Sequence, residues 1–72
     1  MEYNTEKTVL EINKTGIAIS YNINRVTEKI SLNNSSEELE RLWKICEIIA
    51  EDAENIKILI GKMLDERDDF KK

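Results

Sequence analysis

The chain has 72 residues, with 11 Lys or Arg, 15 Asp or Glu, one Cys, two Gly and neither Pro nor His, for a net charge of −4. A chain this short buries only about 60% of its unfolded surface, so it makes one small domain whose core is marginal without a partner. One cysteine excludes an internal disulfide framework. The lack of histidine excludes a Cys/His zinc site and the common acid–base pairs, and the acidic balance argues against a basic nucleic-acid binder.

Residues 1–34 are neutral, with four acids against four bases, whereas residues 35–72 carry 11 acids and seven bases and hence the whole net charge. Composition changes at the same point, around Asn33-Asn34-Ser35-Ser36, from Thr, Ile, Asn and Val to Glu, Leu, Ile, Lys and Asp. Two structural halves of one domain, residues 1–72, are expected, because neither half can bury an apolar face alone.

In the first half the signal is a two-residue alternation. Thr8, Leu10 and Ile12 alternate with Val9, Glu11 and Asn13, and Ile17, Ile19, Tyr21 and Ile23 alternate with Ala18, Ser20 and Asn22. Val26, Ile30 and Leu32 continue the pattern, with Asn13-Lys14-Thr15-Gly16 and Asn24-Arg25 as turns. This predicts a three-stranded antiparallel meander over residues 6–32. One face is apolar and awaits a helix.

The second half reads as one long helix over residues 35–70, giving an α+β fold of order β-β-β-α. Ser35-Ser36-Glu37-Glu38 fits a capping box, with Ser35 as N-cap and Glu38 reaching back. Leu39, Leu42, Cys46, Ile49, Ala53, Ile56, Ile60, Met63, Arg67 and Phe70 follow a 3-4 heptad spacing. With Trp43, Ile45, Ile48, Ala50, Leu59 and Leu64 on its flanks, the apolar arc spans about 200°, twice the stripe of a helix that faces one core.

Such a helix extends roughly 50 Å, whereas a three-stranded sheet is about 14 Å across. Either the helix breaks near Asn55 or Gly61 and folds back, or it stays straight and pairs with a second copy through the heptad residues. The absence of loop composition between Ala53 and Lys62 favours the second. A homodimer is therefore expected, with those ten residues as its interface.

Candidate chemistry is sparse. Cys46 lies within the apolar arc and reads as a buried structural thiol, suited to a reducing compartment. Asp65, Glu66, Asp68 and Asp69 read as a solvated helix end rather than a cation site, because no calcium-loop pattern surrounds them. Glu47, Glu51 and Glu54 share one helical face, with no cleft in which paired carboxylates do acid–base work. Those glutamates, together with Trp43 and Ile58, are instead candidates for contact with another protein. No phosphate loop, dinucleotide fingerprint, nucleophile elbow or metal motif occurs, and no apolar run reaches the ~20 residues of a membrane span.

The expectation is a non-enzymatic, cofactor-free, cytoplasmic protein that self-associates and acts as a small regulator or adaptor by binding another protein, without direct contact to nucleic acid or membrane. The alternative is an inhibitor encoded by a phage or mobile element, presenting its acidic helix face to a basic groove of a host defence or nucleic-acid-handling protein.

Overall fold

The computed structural model describes residues 5–66. It contains two helices, α1 (Thr5–Lys29) and α2 (Ser36–Glu66), joined by a loop over residues 30–35. The helices, of 25 and 31 residues, take up 56 of the 62 described residues, and no strand occurs among them. The fold is thus an all-α helical hairpin. The β-β-β-α architecture expected from the alternation in residues 6–32 is not formed.

The reason lies in what the alternation concealed. Thr8, Ile12, Thr15, Ile19, Asn22 and Val26 follow a strict 4-3-4-3-4 spacing, and each is buried or half-buried in α1. Three of the six are polar, so a count of apolar residues passes over this helical stripe. Ile17 and Tyr21, which suggested a strand together with Ile19 and Ile23, point away from α2 and are 70% and 64% exposed. The alternation is therefore the superposition of two helical faces.

Thr, Ile and Val lower helix propensity by only about 0.7 kcal/mol each or less, and packing against a long partner overrides that. Gly16, read as a turn residue, lies mid-helix with nothing within 4 Å of where a Cβ would stand. The length mismatch is resolved by the same change. At 1.5 Å per residue α1 is about 37 Å long and α2 about 46 Å, so a helix covers its partner where a small sheet would not.

On α2 the inward residues are Leu42, Ile45, Ile49, Asp52, Ile56, Leu59 and Met63, again at 3-4 spacing and each buried or half-buried. In heptad terms the a positions are Ile12, Ile19 and Val26 on α1 and Leu42, Ile49, Ile56 and Met63 on α2. The d positions are Thr8, Thr15 and Asn22 on α1 and Ile45, Asp52 and Leu59 on α2. Polar residues thus hold every α1 d position and the middle one of α2, which trades apolar burial for definition of register. The helix runs unbroken through Asn55 and Gly61.

The turn between the helices is held by side chains. Ile30 N–H donates to Val26 O at 2.9 Å as the last bond of α1, and Leu39 N–H donates to Ser35 O at 2.9 Å as the first of α2. The expected capping box is present: Glu38 N–H donates to Ser35 Oγ at 3.1 Å, and Ser35 N–H donates to Glu38 Oε1 at 2.8 Å. Asn34 ties the two helix ends together. Its Oδ1 accepts from Ser31 N–H at 2.7 Å, while its Nδ2 donates to Lys29 O at 3.1 Å and to Glu38 Oε1 at 3.3 Å. The amide thereby satisfies an orphan carbonyl at the end of α1, while Ser35 Oγ serves an orphan N–H at the start of α2.

The resulting body measures 52 × 23 × 16 Å, two helices wide and one helix thick. Its radius of gyration is 16.4 Å, against about 11 Å for a compact chain of this length. Only Leu42 and Thr8 are buried among the described residues, each 6% exposed, and no side chain is fully enclosed.

Candidate functional site

A single layer of two helices has two broad sides, and the heptad positions show how they differ. Because the helices run in opposite directions, their senses of rotation oppose, so e positions flank e positions and g positions flank g positions. The e positions are Val9, Gly16 and Ile23 on α1, with Ile30 just past its end, and Leu39, Cys46, Ala53 and Ile60 on α2. None of these eight residues is charged. The five large ones, Val9, Ile23, Ile30, Leu39 and Ile60, are 41% to 52% exposed. On α2 the neighbouring b positions extend the surface with Trp43, Ala50 and Leu64, interrupted by Lys57.

The g side differs in kind. It carries Glu11, Ala18 and Arg25 from α1 and Arg41, Ile48, Asn55 and Lys62 from α2. Near the loop it forms an open groove of about 430 Å³ lined by Arg25, Lys29, Asn34, Glu38, Arg41, Leu42 and Ile45. Its two arginines already have company. The Arg25 guanidinium lies 5.7 Å from the centroid of the Tyr21 ring, and Arg41 is 3.8 Å from Glu37. The Glu38 carboxyl is held below the usual carboxylate range, first by the Ser35 N–H and then by the Asn34 amide.

The outer surfaces also contrast. Glu40, Glu47, Glu51 and Glu54 are exposed on the back of α2, beside Ile58. On the back of α1, Leu10, Ile17 and Tyr21 make a narrow apolar stripe flanked by Lys14 and Arg25.

The ten heptad residues of the expected dimer interface separate into two rows. Leu42 is buried and Ile49, Ile56 and Met63 are half-buried in the seam with α1, whereas Leu39, Cys46, Ala53 and Ile60 are exposed on the e side. Arg67 and Phe70 lie outside the described residues, as do Asp68 and Asp69. The partner-contact candidates Trp43, Glu47, Glu51, Glu54 and Ile58 are all exposed. Cys46 is exposed within one chain, contrary to the buried thiol expected.

Val9, Ile23 and Ile30 belong to this surface although the two-residue alternation of residues 6–32 places them in a sheet. The signal that finds them is the unbroken run of uncharged e positions next to the 4-3 stripe. Among the described residues no group of three or more Cys, Asp or Glu side chains could hold a metal ion, and no helix is long and apolar enough to cross a membrane. No protein-family model matches the chain, and neither the curated proteins nor the solved structures contain a significant match to it.

Proposed function

We propose that the protein is a non-enzymatic, self-associating binding module that acts as a small regulator or adaptor in a reducing cytoplasmic compartment. The observation that carries this reading is the imbalance between buried and exposed apolar surface. Among the described residues Leu42 is the one buried hydrophobic side chain, while twelve large ones, from Val9 to Ile60, stand substantially in water. Soluble monomers rarely tolerate so much exposed apolar surface in contiguous patches. A two-helix layer becomes a two-layer domain when a second layer covers it.

The chemistry of the described surface supports binding over catalysis. Apart from Asp52, half-buried in the seam, and Glu38, held by the loop, its carboxylates are exposed on helix surfaces, and the groove at the loop end is open. Sedimentation equilibrium or light scattering on the full chain at about 10 μM tests the central claim. A dimer or higher oligomer is expected, and a monomer up to about 100 μM overturns it.

A second reading, that the acidic back of α2 occupies a basic groove in another protein, is favoured by the exposure of Glu47, Glu51 and Glu54 opposite the apolar seam. Changing all three to Lys should abolish a salt-sensitive interaction with such a partner. Binding that survives the triple change rules out the acid-presenting mode.

A further inference from the structure

We infer that the e side of the hairpin is the face on which a second copy of the chain sits, two hairpins stacking about a two-fold axis into a four-helix bundle. This rests on the self-association proposed above and adds which surface does it. Three observations point to a second copy as the occupant.

The first is thickness. The body is 16 Å deep, so its seam has water on both broad sides, and covering one side with an identical layer turns half-exposed e positions into core. The second is area. Val9, Ile23, Ile30, Leu39, Trp43 and Ile60 leave roughly 550 Å² in water per chain, taking ~180 Å² for a fully exposed aliphatic residue and ~250 Å² for tryptophan. Two such faces supply about 1,100 Å². Adding Cys46, Ala50, Ala53 and Leu64 brings the total into the ~1,200–2,000 Å² range of specific interfaces.

The third is charge. Two chains of net charge −4 repel one another, least where the contact adds no close like-charge pairs, and all eight e positions are uncharged. The acids Glu40, Glu47, Glu51 and Glu54 stay on the far surface of α2. A two-fold contact places the same patch on both partners, so a patch whose e positions are neutral and whose α2 b positions carry the cation Lys57 and no acid suits a copy, where an acidic one would not. The size profile agrees. Gly16 on α1 and Cys46, Ala50 and Ala53 on α2 keep the middle of the face low, with larger side chains toward the ends. The stripe of Leu10, Ile17 and Tyr21 is the competing surface, but it is three side chains long and bordered by Lys14 and Arg25.

The test compares Ala53→Glu with Ile17→Glu in the full chain by native mass spectrometry and sedimentation equilibrium, with circular dichroism to follow helicity. Ala53 is exposed in the single hairpin, so glutamate there has room. Ala53→Glu should weaken the dimer at least 100-fold, and Ile17→Glu should change it less than 3-fold. Loss of the dimer in Ile17→Glu with retention in Ala53→Glu moves the interface to the back of α1, overturning this inference while self-association stands. A monomeric wild-type chain removes both. A readout without any variant comes from Cys46, which is exposed in one chain. Its rate of reaction with a thiol reagent should fall at least 10-fold between dilute and concentrated wild-type protein, and a rate independent of concentration across an observed dimer transition also overturns the assignment.

Discussion

Leu42→Ala probes the hairpin seam most directly, since Leu42 is the one buried hydrophobic side chain among the described residues. The change removes three carbon groups from a side chain only 6% exposed. At ~0.8 kcal/mol per buried methylene the transfer loss is about 2.4 kcal/mol. A cavity adds to this in a closed core, but Leu42 lines the open groove beside Arg25, Lys29 and Arg41, where side chains and water can enter. The cost therefore belongs near the lower end of the 2–5 kcal/mol range, at about 2.5 kcal/mol. Set against the ~4–11 kcal/mol expected for a chain of this length, that is a quarter or more of the total stability. It should lower Tm by about 10–20 °C. Urea and thermal melts followed at 222 nm and by Trp43 fluorescence measure it. Leu39→Ala is the control: with 45% of the residue already in water, it should cost about 60% as much, roughly 1.5 kcal/mol, in dilute, dissociated protein. Equal losses at Leu39 and Leu42 under those conditions would refute the seam assignment.

Gly16→Ala and Gly61→Ala should each stabilise by about 0.5–1 kcal/mol, because both glycines lie mid-helix with open space at the Cβ position. A loss at Gly16 in urea melts would instead point to a turn there. Ser35→Ala should cost about 1 kcal/mol by removing the acceptor for Glu38 N–H, with the effect read as an earlier urea midpoint. The lowered pKa of Glu38 makes a contribution that is fully present above the ordinary glutamate value of about 4.3 and is lost as the pH falls through its lower folded value. Glu38→Gln should therefore flatten the acid limb of the stability profile, and an unchanged limb would exclude Glu38 as its source. Raising NaCl from 0.05 to about 0.5 M should tighten self-association, because screening relieves repulsion between two chains of charge −4 around a neutral face; weakening with salt would indicate an interface built on opposite charges.

Residue chemistry alone located the boundary between the two halves, the capping box of Ser35 and Glu38, the continuity of α2 and its excess of apolar surface. Each is local or periodic information: a hydroxyl three residues before a carboxylate, a 3-4 spacing, the absence of proline. The mismatch between a long apolar helix and a small sheet was also legible, and it held the correction within it, since a helix in residues 5–29 covers α2 where strands would not.

That residues 5–29 are helical was decided by the tertiary structure. Thr8, Thr15 and Asn22 occupy d positions where apolar residues are the usual signal, and Ile17 and Tyr21 lie on an outer face that mimics strand alternation. Local propensity in such a β-branched segment differs between helix and strand by tenths of a kcal/mol per residue, and packing against the inward stripe of α2 exceeds it. Tertiary structure also divided the wide apolar arc. Leu42, Ile49, Ile56 and Met63 turn toward α1, while Leu39, Cys46, Ala53 and Ile60 remain outside. Composition and spacing alone establish that a 72-residue acidic chain carries more apolar helix surface than one small core can use. Which part of that surface is satisfied within the chain depended on the direction and register of a second helix, which no local pattern encodes.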